Sequence, residues 1–313
     1  MKILNTFIIT LFFIYQLNAQ KLVKVNPTVS GLVQPIYQIE LSNNKISDNE
    51  FLVKRFRFEI SSKFSDWTKT EIEIDPLDKG LVKDAFIKFE LFQTLNLTIG
   101  RQKIPFSKER LTSVKNIQYF ERTKVVKEFD NFAYAGRDIG LIAESKTKIK
   151  KFNVNFSAGI FNGNKGDLNG DYNNSKTFAQ RLELNHKNFT FGINSAQKFD
   201  SLSSKYFVAN GLDFEIEVIK NLTFSTEFLL GRKNSNKLLG GEYFALEYAL
   251  NDFLFGVRFS QYFSDIKKSA TNYFEAKADY KPYKTIKISI NWLGEYKASS
   301  FSNTMIIGAS YVF

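Results

Sequence analysis

Along most of this chain, apolar residues fall at every second position. Residues 153–160 read NVNFSAGI, so Val154, Phe156, Ala158 and Ile160 alternate with Asn153, Asn155, Ser157 and Gly159. The same period recurs at Phe189-Phe191-Ile193, Leu222-Phe224-Thr226-Phe228-Leu230, Phe253-Phe255-Val257-Phe259 and Ile286-Ile288-Ile290-Trp292. A period of two is that of a strand with one apolar face. Turn residues separate the runs, and they divide the chain into about sixteen strands of roughly 10–13 residues, the length a tilted strand needs to cross a bilayer. The expected strands are 28–40, 51–64, 66–75, 81–91, 95–104, 136–146, 151–161, 176–186, 188–199, 206–218, 221–232, 240–250, 253–264, 270–281, 284–296 and 303–313.

Connection lengths alternate as well. Short turns are expected near Ser65-Asp66, Phe92-Gln93, His186-Lys187, Lys220, Asn251-Asp252 and Pro282-Tyr283. Longer loops are expected at Asn162 to Ser175 and Lys297 to Ser302, and the longest at Pro105 to Ala135. Short turns on one side and longer loops on the other are the asymmetry of an outer-membrane barrel with both termini in the periplasm. The fold class expected is therefore all-β, a transmembrane antiparallel β-barrel. In the last strand, Met305, Ile307, Ala309, Tyr311 and Phe313 form one apolar face ending on an aromatic residue. A terminal strand of this form looks like the signal read by the outer-membrane assembly machinery.

The N-terminus adds a targeting signal. Lys2 precedes the apolar run Ile8 to Tyr15, and Leu17-Asn18-Ala19 offers cleavage before Gln20. This reads as a signal peptide at 1–19, leaving 20–313 as the barrel domain. Localisation in the outer membrane of a Gram-negative-type bacterium follows.

Composition agrees with an inverted barrel, apolar outside and polar inside. The chain has 33 Phe and 14 Tyr, yet its mean hydropathy is −0.23. Tyr248, Tyr262, Tyr280, Trp292 and Tyr311 are candidates for interfacial girdles. Strand parity places Arg55, Arg57, Arg181, Arg258 and Lys287 on the lumen wall, with Glu59, Glu71, Glu73 and Glu183 among them. The net charge of +11 points to anionic partners. Small anions, and acidic lipid or lipopolysaccharide, fit that charge. Nucleic acid does not, because the positive charge is spread over strands without a compact binding motif.

One stretch resists simple parity. LTIGRQKIPFSKERLTS, Leu97 to Ser113, begins as a strand and turns basic at Arg101, Lys103, Lys108 and Arg110. Arg101 and Lys103 share parity with Leu97 and Ile99, so either a bulge or the end of the membrane zone must intervene. Pro105 has no amide proton and ends strand pairing. The loop beyond it carries Lys115, Arg122, Lys124 and Lys127, with Glu109 and Glu121 as possible partners of Arg110 or Arg122.

These residues carry a resemblance. LNLTIGRQKIPFSKERLTS from Leu95, QYFERT at Gln118 to Thr123 and GRDIGL at Gly136 to Leu141 together resemble the phosphate-selective porin O/P family. The matching positions are Arg101, Lys103, Pro105, Phe106, Glu109, Arg110, Glu121, Arg122, Arg137 and Asp138. The resemblance implies a sixteen-stranded homotrimeric porin whose third loop folds into the lumen. It also implies passive diffusion of small hydrophilic solutes, with preference for anions such as phosphate. The expected anion path and constriction are Arg101, Lys103, Lys108, Arg110, Arg122 and Arg137. The alternative is a non-conducting structural or adhesive barrel.

Catalysis and cofactors are not expected. With no cysteine, thiolate chemistry and disulfides are excluded. The one histidine, His186, lies by a turn without a recognisable nucleophile. Asp167, Asn169 and Asp171 offer oxygen ligands in the loop NGNKGDLNGDYNNS, but their spacing is not that of an EF-hand. No metal site is expected.

Overall fold

The structure, a computed structural model, describes residues 26–313 apart from 44, 172–173, 202–203, 235–236 and 299. The expected signal segment, 1–19, lies outside the described residues. The strands are β1 Thr28–Ser42, β2 Lys45–Ser65, β3 Thr68–Ile74, β4 Val82–Phe92, β5 Leu95–Lys103, β6 Arg137–Ile149, β7 Phe152–Phe161 and β8 Lys176–His186. They continue as β9 Phe189–Asp200, β10 Lys205–Ile219, β11 Leu222–Asn234, β12 Lys237–Leu250, β13 Phe253–Phe263, β14 Thr271–Tyr283, β15 Ile286–Lys297 and β16 Ser300–Val312. Each pairs antiparallel with its sequence neighbour, and β1 pairs with β16, so the sheet closes.

Closure removes the free edge that lipid would punish. The amphipathic period then sorts the two faces. Ile60, Ile72, Ile99, Ile160, Val257 and Ile290 point outward and stay exposed. Arg57, Asp84, Arg181, Asp213, Glu227, Arg258 and Asp279 point inward and are buried. The expected interfacial residues Tyr248, Tyr280 and Tyr311 lie on the outer face near the short turns. Trp292 is also outward but sits midway along β15. Tyr262 differs: it faces the lumen and is buried against the long loop.

The chain terminus seals the seam. Gly31 N donates to Phe313 O at 2.8 Å, and Phe313 N donates back to Gly31 O at 3.3 Å. The Phe313 ring lies over Gly31, where an added Cβ would stand 2.3 Å from Phe313 Cζ. Phe58 and Tyr311 hold that ring at centroid distances of 5.9 and 5.8 Å. An aromatic ring thus covers bare backbone at the closing strand pair.

Two hairpins differ from expectation. The β14–β15 turn falls at 284–285, after Pro282, because the register shifts between Tyr280 and Tyr283. Such an irregularity is where a strand tolerates proline. The stretch Lys297 to Ser302 is a tight hairpin rather than a loop, since β16 begins at Ser300. A third irregularity has consequences inside. The β1–β2 register shifts at Gln34/Pro35, with Gln34 opposite Arg55 and Pro35 opposite Val53. Lys54 is the extra residue of this bulge, and it faces the lumen beside Arg55.

The long loop after β5 folds into the barrel. It carries a single helical turn, α1 Lys108–Leu111, and a two-turn helix, α2 Lys124–Asn131. The pattern KVVKEFDN is too short for periodicity to distinguish it from loop. Val125, Val126 and Phe129 of α2 are buried against the β11–β13 wall with Phe106, Leu229, Leu239 and Tyr262. Small wall residues make the socket. Ala179, Ala196 and Ala209 are fully buried there. At Gly231 a Cβ would meet Ala209 Cβ at 2.8 Å and Phe129 Cε1 at 2.9 Å. The loop therefore has an apolar underside despite its basic sequence.

A prediction follows for closure. Gly31→Leu forces the Phe313 ring off the seam, an overpacking cost of about 1–3 kcal/mol. The variant is expected to give less folded barrel and a lower unfolding temperature, read from heat-dependent gel mobility and circular dichroism.

Candidate functional site

The inward loop meets the wall through ions on one side and apolar contacts on the other. Its first anchor is at α1. Ser107 caps that turn, accepting from Arg110 N at 3.2 Å, while its own backbone sits at φ 67°. A non-glycine residue there is strained, and the surroundings must hold it. Glu227 of β11 does so, accepting from Lys108 N at 2.8 Å and Glu109 N at 3.2 Å.

The second anchor is Arg258 of β13. It donates to Glu275 Oε1 and Oε2 at 2.8 Å each, to Glu109 Oε1 at 2.7 Å and to Glu121 O at 2.9 Å. Its guanidinium also lies 4.1 Å from the centroid of Tyr119. Glu109 in turn accepts from Thr123 Oγ1 at 2.6 Å and Thr123 N at 3.1 Å. Glu109 thus pairs with a wall arginine, not with Arg110 or Arg122. Farther along, Lys115 ties the loop to Glu59 at 2.9 Å and Ser30 Oγ at 2.7 Å. Phe120 packs on Ile36 and Ile306.

Between the loop and the β2–β6 wall lies a cleft of about 290 Å³. Ten cations and four carboxylates line it, an excess of six positive charges. Arg101 reaches this cleft because Gly100, at φ 132°, breaks the alternation after outward-facing Ile99. A Cβ at Gly100 would stand 2.2 Å from Ala85 O. That glycine resolves the parity conflict in the sequence. Lys103, one turn of the alternation farther, lines a second cavity of about 190 Å³ with Leu111, Arg181 and Glu183.

The expected constriction residues fall into two groups. Arg101 donates to Val82 O at 3.0 Å, Lys83 O at 3.1 Å and Gly166 O. Lys103 donates to Leu111 O at 2.7 Å. Arg122 donates to Glu109 O at 3.0 Å and Thr112 O at 2.7 Å. Among the described residues these three have only carbonyl partners. The other three are neutralised. Lys108 pairs with Glu215 at 2.8 Å, Arg110 with Asp130 at 2.8 Å, and Arg137 with Asp84 at 2.7 Å and Glu73 at 3.4 Å.

The wall residues divide likewise. Arg55 bonds Gln34 Oε1 and Phe120 O, the latter at 2.7 Å, and has no carboxylate partner among the described residues. Arg57 pairs with Glu73 at 2.5 Å and Asp75 at 3.1 Å. Arg181 pairs with Asp213 at 2.5 Å and Glu183 at 3.1 Å. Arg258 is the loop anchor. Lys287 lies 3.8 Å from Asp279 and 3.5 Å from Ile117 O. Three of the four expected lumen-wall arginines, Arg57, Arg181 and Arg258, are therefore charge-paired, as a packed wall requires because an unpaired charge in it is costly.

Two loop residues show the local field. Burial lowers the Arg122 guanidinium to about 9, with the Arg110 charge as the next cause. Burial would raise the Glu121 carboxyl, but Lys127 and then Lys54 hold it down to about 2.

Sequence reasoning missed Glu227 and Glu275 as parts of the loop anchors and Asp213 as the wall partner of Arg181. Only their lumen parity was visible, since their partners lie far away in sequence. Asp138 holds the next extracellular loop, accepting from Gly163 N at 2.7 Å and Gly166 N at 2.9 Å. In that loop Asp167 accepts from Asn169 N at 2.9 Å, while Asp171 pairs with Lys176. His186 packs near Phe152 and Phe189, at centroid distances of 5.0 and 5.6 Å.

A closed sixteen-stranded barrel, lipid-facing outside and constricted by an inward third loop, defines an outer-membrane porin of a Gram-negative bacterium. The chain belongs to the family described as phosphate-selective porin O and P, which it matches over residues 33–205. No curated protein matches it. Its fold is similar to that of an anion-selective porin from Comamonas acidovorans, with a TM-score of 0.69 and 11% identity over 93% of this chain and 100% of that one. It is also similar to OmpT, an outer membrane protein of Vibrio cholerae in its trimer form, with a TM-score of 0.62 and 11% identity over 92% and 99%.

The anchor generates a prediction. Arg258→Met leaves Glu109 and Glu275 buried without a cation, a loss of about 3–5 kcal/mol. The barrel is expected to remain closed while the loop loosens. Single-channel recordings should then show larger, noisier conductance, and thermal melts followed by circular dichroism a lower unfolding temperature, than the parent.

Proposed function

We propose that the pore passes small hydrophilic solutes by diffusion and prefers small anions such as inorganic phosphate. The observation that supports this reading is the set Arg55, Arg101 and Arg122, which share one cleft and have no carboxylate partner among the described residues, while Lys103 faces the second cavity. Uncharged oxygens, of the backbone and of the Gln34 amide, fix these groups in place without cancelling their charge. A passing anion would supply the missing counter-charge, and fixed charge at a constriction selects ions by sign. The same feature is what the Comamonas porin's description as anion-selective would call for.

The remaining expected residues take supporting roles. Lys108, Arg110, Arg137, Arg57, Arg181 and Arg258 fix the loop and the wall through their carboxylates. Lys287 adds positive potential below the loop. The chain is read as exported through a signal at 1–19, with 20–313 forming the barrel. It is read as a homotrimer, the form in which Vibrio OmpT is described. Catalysis has no place in this reading: His186 sits between phenylalanine rings at a turn, away from the cleft.

Purified protein in a planar bilayer under a potassium chloride gradient is expected to give an anion-selective reversal potential, with phosphate reducing the chloride current. Replacing Arg55, Arg101 and Arg122 together with Gln should move that potential toward zero. Replacing the cancelled pair, Arg181→Gln with Asp213→Asn, should leave it unchanged. Cation selectivity in the parent would overturn the anion reading, and absence of conductance from folded protein would favour a structural barrel.

A further inference from the structure

Glu121 stands apart from the other carboxylates of the cleft. It belongs to the loop, yet it reaches Lys54 on the β2 bulge and Lys127 of α2, the latter at 2.5 Å. Its side chain is 30% exposed and faces the same cleft as Arg55, Arg101 and Arg122. Asp130 and Asp75 each serve a guanidinium, and Asp78 serves Lys83 at the edge. Glu121 alone among the four spans from loop to wall and masks two ammonium groups.

The side chain is not what holds the loop there. Arg258 binds the Glu121 backbone carbonyl at 2.9 Å, Arg55 binds Phe120 O at 2.7 Å, and Arg122 binds Glu109 O and Thr112 O. The peptide on both sides of Glu121 is therefore anchored through main-chain oxygens. The carboxylate contributes mainly charge.

We propose that Glu121 is a specificity-determining residue of the pore, whose carboxylate screens Lys54 and Lys127 and so limits the anion preference of the cleft. This rests on the anion-porin reading above. The bulge at Gln34/Pro35 is part of the device, since it turns Lys54 into the lumen within reach of the loop. A porin with a fully unmasked cleft would hold anions more tightly and release them more slowly. One carboxylate across two lysines keeps the field strong enough to select but weak enough to pass.

The test compares two variants that break the same ion pairs with opposite changes of charge. Glu121→Gln removes the negative charge. Lys54→Met with Lys127→Met removes the positive ones and leaves Glu121 alone. Reversal potentials are measured for both and for the parent in planar bilayers, after heat-dependent gel mobility confirms folded barrels. A unit charge about 8 Å away in water changes ion occupancy about twofold. Glu121→Gln is therefore expected to raise the anion-to-cation permeability ratio about twofold or more, and the double lysine variant to lower it. Shifts in the same direction would mean that the ion pairs act only as a strut, and would overturn the proposal. No shift from Glu121→Gln in an anion-selective parent would overturn it as well. A parent that is cation-selective or closed would overturn the anion-porin reading first, and this inference with it.

Discussion

The constraint on which everything else depends is the satisfaction of backbone hydrogen bonds in lipid. An unpaired amide or carbonyl in hydrocarbon costs several kcal/mol, so a sheet can cross only as a closed ring. Pairing of β1 with β16 meets that demand, and the Gly31–Phe313 bonds complete it at the periplasmic end. Closure then dictates the inversion of polarity. Apolar residues of every strand are spent on lipid contact, and polar ones are turned into a narrow lumen.

A lumen lined with charges has its own requirement. Arginine and carboxylate side chains brought close together and partly dehydrated must find partners. The wall meets this with cross-strand networks such as Arg57 and Arg137 with Glu73, Asp75 and Asp84. The loop uses the same chemistry to dock. Glu227 takes the first amides of α1, and Arg258 gathers Glu109, Glu275 and the Glu121 carbonyl. What distinguishes the cleft is the set of cations that carbonyl oxygens position but do not neutralise. A carbonyl fixes a cation geometrically while leaving its unit charge to act on the solution. Position and charge are thus separated, which a salt bridge cannot do.

The opposite side of the loop rests on a different force. Phe106, Val125 and Phe129 bury apolar surface against a wall made concave by Ala179, Ala196, Ala209 and Gly231. A small core therefore exists inside the pore, although the fold has none in the ordinary sense. It seats the loop against the β8–β13 wall and leaves the opposite cleft free. The asymmetry of the pore follows from where small residues occur in the lumen-facing series.

The strands were legible because their period is short and repeated: all sixteen expected runs correspond to observed ones. The misread turn at 284–285 depended on a register shift, which local composition does not encode, and the hairpin after Lys297 on unbroken pairing of Lys297 with Ser300. Within the site, the sequence singled out Arg101, Lys103, Lys108 and Arg110 by their clustering between Leu97 and Ser113, and Arg122 and Arg137 by the elements that follow. It could not separate Arg101, Lys103 and Arg122 from Lys108, Arg110 and Arg137. That distinction depends on carboxylates from other parts of the chain, such as Glu215, Asp130 and Asp84, which only folding brings near. By itself, then, the sequence determined the barrel, its lipid-facing side and the inventory of charge, since alternation and strand length are local properties. Tertiary structure alone decided which charges cancel, because each pairing is a contact between residues that closure and loop docking place side by side.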